Sequence, residues 1–280
     1  MSVRVYESPA EFPLSRSGGW GLVPTMGALH EGHRQLIAQA AAENDDVVVS
    51  VFVNPAQFGN TSDLARYPRQ IEADVRAAAD AGATIIYAPT PETVYPPGFA
   101  TWIEPGDLAA RWEGRSRPCH FRGVATVVGI LLNTVRPARS YFGEKDFQQL
   151  QIIRRMHRDL QLPGAIVGCP TVRDADGLAL SSRNARLSAS GRASAAAIPR
   201  ALFAIAEAAR AGITSAEDLV RGGAGLFADP AIAVDYLTIV DPETLLPVEA
   251  VTAGSRVMTA VEIDGVRLID NVGLLEPTDP

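Results

Sequence analysis

The sequence predicts an α/β fold, a doubly wound parallel sheet followed by a smaller α+β domain. Three observations carry that expectation. Short apolar runs alternate with helical patterns between residues 21 and 169. Residues 47–53, Val-Val-Val-Ser-Val-Phe-Val, form a run rich in β-branched side chains, as in a strand buried on both faces of a parallel sheet. Near Thr171 the pattern changes to an Ala-rich helical stretch and then to strands joined by a hairpin signal.

In chain order, residues 21–23 read as the first strand. Residues 31–42 follow as a helix with Leu36, Ile37 and Ala40 on one face. The run 47–53 is the second strand, 69–81 the second helix and 83–87 the third strand. That order implies right-handed βαβ units. Pro89, Pro91, Pro96 and Pro97 then punctuate the chain. A helix at 123–135, a strand at 140–143, a helix at 146–160 and a strand at 165–169 complete the sheet. Residues 181–184 are polar and turn-like. Residues 188–211 read as helical, with Pro199 expected to kink or divide them. Strands are expected at 235–240, 256–263 and 266–269, and Asp264-Gly265 is a two-residue hairpin signal. The expected domains are residues 1–171 and 172–280.

Composition narrows the function. The chain has 280 residues, 25 basic and 32 acidic, for a net charge of −7. That balance argues against a nucleic-acid partner, which calls for a basic face. The two cysteines, Cys119 and Cys169, are too few for a disulfide framework and lack zinc spacing; both read as buried thiols. No apolar run has the length of a signal peptide or approaches the ~18 residues of a membrane helix, so the cytoplasm is the expected compartment and no membrane partner is expected.

Four segments carry candidate chemistry. The first is Pro24-Thr25-Met26-Gly27-Ala28-Leu29-His30-Glu31-Gly32-His33, between a strand and a helix. Open α/β sheets bind ligands at that end of a strand, and the opening turn of a helix offers unpaired N–H groups to an anion. His30 and His33 share a helix face and suit hydrogen bonding to phosphate oxygens. Gly32 leaves room for a bulky group. A pair of surface histidines and a metal pair are the alternatives. The second segment, residues 54–59, places Asn54 and Gln57 after the long strand, to orient a polar substrate or to stabilise a loop.

The third is Gly143-Glu144-Lys145-Asp146-Phe147-Gln148-Gln149. Lys145 is a cation placed to meet phosphate, Asp146 is a helix-cap candidate, and Gln149, three residues after it, is placed to face the same cleft. The fourth, Ala179-Leu180-Ser181-Ser182-Arg183-Asn184, puts two hydroxyls and a guanidinium on one loop able to close over a polyphosphate. A solvent-exposed turn is the plain alternative.

In this order, and with Arg66-Tyr67-Pro68-Arg69, residues 120–128 and Val240-Asp241-Pro242-Glu243-Thr244-Leu245, the segments resemble the pantothenate synthetase family, the AMP-forming pantoate–β-alanine ligases. The His-x-Gly-His element alone marks only a wider nucleotidyl-transferring superfamily; the full set is far more specific. The resemblance implies a Rossmann-like ATP- and pantoate-binding domain and a smaller C-terminal domain that closes over the active site. It implies that Met26, Gly27, Ala28, Leu29, His30, Glu31, Gly32 and His33 line the ATP site. Gly143, Glu144, Lys145 and Asp146 would contact ATP, and Val172, Leu180, Ser181, Ser182 and Arg183 would do so from the second domain. His33, His30, Lys145 and Arg183 would be catalytic, with His33 a proton donor. Gln57, Gln149 and Asn54 would bind pantoate or β-alanine, and Asp74 would bind magnesium. Three residues depart from the family pattern: Cys119 stands for glycine, Arg34 for an apolar residue, and Ala73 for an acidic neighbour of Asp74.

The implied reaction is ATP-dependent condensation of (R)-pantoate with β-alanine to pantothenate, AMP and pyrophosphate through pantoyl adenylate, with no covalent enzyme intermediate. The implied cofactor is Mg2+, with ATP as substrate. The implied assembly is a homodimer; the sheet edge near residues 123–135 is the region expected to contribute to it. Competing readings are another His-x-Gly-His nucleotidyltransferase, an aminoacyl-tRNA synthetase, which the acidity and the absence of room for an anticodon module disfavour, and a non-catalytic nucleotide-binding module.

Overall fold

Six strands pair side by side, all parallel, in the order β1-β4-β3-β2-β5-β6. They are β1 (Arg4–Tyr6), β2 (Trp20–Thr25), β3 (Asp46–Val51), β4 (Ile85–Tyr87), β5 (Arg139–Gly143) and β6 (Ala165–Cys169). The computed structural model describes residues 3–12, 19–59 and 61–275; residues 1–2, 13–18, 60 and 276–280 of the two expected domains lie outside the described residues. The chain forms two units: residues 1–144 with 148–170, and residues 145–147 with 171–280.

Strand periodicity explains the first unit. Alternate side chains of a strand face opposite sides, and β3 uses both. Val48 joins one core with Leu22, Ile85, Phe142 and the helices α6 (His120–Val135) and α7 (Phe147–Asp159). Val47 and Val49 join a second core with Val23, Ile86 and Tyr141, and with Ile37 and Ala40 of α1 (Glu31–Glu43) and Ala78 of α3 (Ile71–Asp80). The sheet is therefore doubly wound. Between these lie short helices that the sequence reading missed: α2 (Thr61–Arg66), α4 (Pro91–Val94) and α5 (Glu113–Ser116). The edge strand β1 was missed as well; three residues are too few to show a period.

Several boundaries move for identifiable reasons. Strand β3 ends at Val51 rather than 53, because Asn54-Pro55 starts a 3-10 turn over Pro55–Gln57. Helix α6 begins three residues earlier than expected, at His120. Twelve of its sixteen residues are buried, so most of this helix is committed to the unit's own core. The expected helix from 146 divides into a 3-10 turn, Glu144–Asp146, and α7.

The second unit packs α8 (Ala189–Ala195), α9 (Ala197–Arg210) and α10 (Ala216–Ala224) with an antiparallel sheet of β7 (Ala233–Val240), β8 (Arg256–Ile263) and β9 (Val266–Gly273). The helical stretch 188–211 does divide, but at Ala196, ahead of Pro199. Pro199 is the third residue of α9, where no intrahelical N–H is needed. Helix α10 was not anticipated. Asp264 and Gly265 both have positive φ, 55° and 69°, as a type I′ hairpin requires. Among the described residues, no helix is long and apolar enough to cross a membrane.

Of the two thiols, only Cys169 is buried. Burial, with Glu43 and Glu144 adding, pushes its pKa up to about 12. Cys119 is exposed and has φ 65° at the start of α6, which explains why glycine is the expected residue there. A left-handed non-glycine residue costs about 1–2 kcal/mol, partly offset by the greater unfolded-state freedom of glycine. Cys119→Gly is therefore expected to raise stability by about 0.5–1 kcal/mol in urea denaturation. An unchanged or lower midpoint would remove the strain account.

Candidate active site

In the first unit, the chain runs from β2 to β3 on one side of the sheet and from β5 to β6 on the other. Their boundary is a topological switch point, where open α/β sheets form a crevice at the strands' carboxyl ends. Strand β2 pairs with β5 only at Gly21 and Leu22. Pro24 lies beyond that pairing, so its missing N–H removes no bond to β5.

The loop after β2 is built into an unusual shape. Thr25 donates Oγ1–H to Ser50 O at 2.6 Å, and the same hydroxyl accepts Gly27 N–H at 3.2 Å. Gly27 and Ala28 then adopt φ of 80° and 52°. A Cβ on Gly27 would lie 2.8 Å from Asp74 Oδ2. Asp74, 2% exposed in the first turn of α3, accepts Ala28 N–H at 3.1 Å through Oδ2 and Leu29 N–H at 2.9 Å through Oδ1. This is a different task from the magnesium ligation implied by the resemblance. Both carboxylate oxygens are engaged, and among the described residues no group of three or more His, Cys, Asp or Glu is placed to hold a metal. The donor set therefore does not fit a resident ion at Asp74.

His30 leads into α1 and His33 sits in its first turn, with ring centroids 4.0 Å apart. His30 N–H donates to His33 Nδ1 at 3.3 Å, so neutral His33 carries its proton on Nε2. A Cβ on Gly32 would come within 3.0 Å of the His30 ring. The room that Gly32 leaves is thus occupied by His30 itself, not by a bound group. Arg34, expected to be apolar, pairs with Glu31 at 3.4 Å on the outer side of the helix.

Two neighbouring polar pairs divide their labour. Asn54 is 1% exposed and saturated. Its Nδ2 donates to Gln57 Oε1 at 3.0 Å and Gly123 O at 3.1 Å, while its Oδ1 accepts from Ala56 N and Tyr95 OH. Four bonds use the whole carboxamide, so Asn54 braces the turn and has no capacity left for a substrate. Gln57 keeps donor capacity, because its Nε2 meets only the Met26 thioether, at 3.1 Å, a weak acceptor. Gln148 is committed to the protein as well, donating to Leu108 O and Arg111 O and accepting from Glu113 N. Half-buried Gln149 has no hydrogen-bond partner among the described residues.

The reading of the sequence missed the supports of this corner. The buried His120 ring bonds through Nδ1 to Gln57 O at 2.9 Å. Gly123 lets α6 approach the turn, since a Cβ there would lie 2.5 Å from Ala56 C and O. Both residues stand in the 120–128 segment quoted for the resemblance, which was a signal without a role.

The second unit contains its own cleft, with Lys145, Ser181, Arg183, Asn184, Arg267 and Asp270 beside apolar residues such as Leu178 and Ile198 in its lining. Leu180 N–H donates to Val172 O at 2.9 Å, tying the loop ends together. Ser181 Oγ accepts Arg183 N–H at 3.2 Å and starts a 3-10 turn, while Ser182 is exposed. Asp270 is bound by Arg173, at 2.7 Å, and Arg267 by Asp235, at 2.8 Å. Lys145 Nζ and the Arg183 guanidinium have no ion-pair partner among the described residues. They are cations left for an anion.

Known proteins match this chain along its length. The family model described as Pantoate-beta-alanine ligase matches residues 7–273. A pantothenate synthetase of Thermus thermophilus is 52% identical over 255 residues, covering 91% of this chain and 92% of that protein. One from Cereibacter sphaeroides is 50% identical over 252 residues, covering 90% of each. A crystal structure of pantothenate synthetase from Thermus thermophilus superposes with a TM-score of 0.91 at 47% identity, over 98% of this chain and 100% of that one. That of pantoate-beta-alanine ligase from Francisella tularensis, complexed with beta-gamma ATP and beta-alanine, gives 0.80 at 33% identity, over 99% and 100%.

Asp74→Asn removes one acceptor from the pair that holds the loop. A bond to a charged group contributes about 1.5–3 kcal/mol, so the variant is expected to lose roughly 2 kcal/mol of stability by urea denaturation. An unchanged midpoint would show that the loop does not depend on this carboxylate.

Proposed function

The chain belongs to the pantoate–β-alanine ligase family, and we propose how its own residues carry out ATP-dependent condensation of pantoate with β-alanine. The observation that carries the reading is the pair of closely packed His30 and His33 rings at the start of α1, beside the crevice where β2 and β5 part. In this proposal residues 26–33 and 143–146, with Val172 and 180–183, contact ATP. Gln57 and Gln149 bind pantoate with their uncommitted amide donors, and Gln57 also lies near β-alanine. Asn54 acts by holding Gln57. ATP enters as its magnesium complex, whose ion takes phosphate oxygens as ligands.

The first step is attack by a pantoate carboxylate oxygen on the α-phosphorus. The bond to the β-phosphate oxygen breaks and pyrophosphate leaves. Charge grows on the phosphate oxygens, where His33 Nε2–H, the N–H groups opening α1, Lys145 Nζ and Arg183 supply donors. The neutral amine of β-alanine then attacks the acyl carbon; AMP departs and the nitrogen loses a proton. The His33 tautomer suits hydrogen-bond donation. Literal proton transfer would start from an imidazolium, whose Nδ1–H would oppose the His30 N–H. Two bound reactants also gain a high effective concentration. The family resemblance supports two further proposals, a homodimer and a cytoplasmic location.

ATP–pyrophosphate exchange tests the reading. It is expected to require pantoate and not β-alanine, while net AMP release requires both. Exchange without pantoate would favour another His-x-Gly-His nucleotidyltransferase. His33→Ala is expected to lower pantoate-dependent exchange by roughly 10²-fold or more, and near-normal exchange would sink that role. Gln149→Ala is expected to raise the KM for pantoate and leave that for ATP in place. Equal pantoate kinetics would move the carboxylate site elsewhere.

A further inference from the structure

Within the second unit, residues 145–147 are gripped by buried polar groups that the mechanism above does not use. Asn271, on β9, is 4% exposed. It donates Nδ2–H to Lys145 O at 2.9 Å and accepts from Arg256 Nη1 at 2.6 Å through Oδ1. Arg256, on β8, lies 4.3 Å over the Phe147 ring. The Asn271 backbone is held in turn: its N–H donates to Asp270 Oδ1 at 2.8 Å, and its carbonyl accepts from Arg173 Nη2 at 3.3 Å. Arg173 and Asp270 form a two-pronged pair, at 2.7 and 3.0 Å. The lysine backbone and the Phe147 ring are therefore fastened by two residues that are bonded to each other.

Buried amide and guanidinium groups are costly unless satisfied, and a satisfied network holds its members in one arrangement. Here the network holds the backbone of a residue that lines a cleft with Arg183 and whose ammonium has no ion-pair partner among the described residues. A long flexible lysine gains a defined reach only if its own Cα is fixed. We propose that Asn271, clamped by Arg256, is a positioning residue for Lys145. It sets the lysine backbone so that its ammonium and Arg183 serve one anionic group. The inference rests on the reading that Lys145 acts on the phosphates of ATP.

A double-mutant cycle on full-length protein, read by pantoate-dependent ATP–pyrophosphate exchange, tests it. Small misplacements of a catalytic group cost up to about 10²-fold. Asn271→Ala is therefore expected to lower exchange by about tenfold or more in the native background. In the Lys145→Ala background the same change is expected to cost less than about twofold, because the group it positions is gone. Asn271→Asp keeps the shape and the acceptor for Arg256 but loses the donor to Lys145 O. It is expected to reproduce this pattern, and it carries the test if the alanine variant does not fold. Equal losses in both backgrounds, or none in the native one, would overturn the positioning role while leaving Lys145 in place. Native exchange in Lys145→Ala alone would overturn both readings.

Discussion

Two backbone N–H groups of the loop after β2 end on one buried carboxylate, Asp74, and the candidate site depends on that contact. The loop adopts left-handed φ at Gly27 and again at Ala28. For alanine that conformation costs about 1–2 kcal/mol. Two bonds to a charged acceptor contribute about 1.5–3 kcal/mol each, so the carboxylate outweighs the strain. Without it the loop would relax, and the start of α1, where the His30 and His33 rings meet, would lose its fixed approach. The parting of β2 from β5 beyond Leu22 supplies the space this loop faces.

A net charge of −7 describes the whole chain and not the chemistry. Several arginines in the second unit are already spoken for. Arg173 holds Asp270, Arg192 holds Asp174 and Asp176, and Arg267 holds Asp235. Lys145 and Arg183 are the exceptions in the cleft, and this is why they are proposed to meet an anionic nucleotide. The neutral donors follow the same division. Asn54 exhausts its carboxamide on the protein and Gln148 commits both of its amide N–H groups there, while Gln57 and Gln149 retain donor capacity. Saturation by hydrogen bonds, more than residue type, separates supports from candidate ligands.

The fold was legible where its signals are local and periodic. The β-branched run at 47–53 announced a central strand, and Asp264-Gly265 announced a hairpin that has the required positive φ at both residues. Strand β1 and the single-turn helices were too short to show a period. At the site, the His-x-Gly-His segment and the loops at 54–57 and 143–149 stood out because each joins a strand to a helix. The roles of Asn54 and Asp74 were not legible. A saturated carboxamide and an uncommitted one read alike in sequence, and so do a loop-bracing carboxylate and a metal ligand. Asn271 was invisible, because its partner Lys145 lies 126 positions away and only the folded β9 brings them together.

The central claim is that pantoate attacks the α-phosphorus and leaves as the acyl group of an adenylate. Isotope transfer reads that step most directly. Pantoate carrying 18O in its carboxylate, turned over with ATP and β-alanine, is expected to deliver one labelled oxygen to the phosphate of AMP, because the oxygen that attacked phosphorus stays with it when the amide forms. Unlabelled AMP, with the label in another product, would contradict the account.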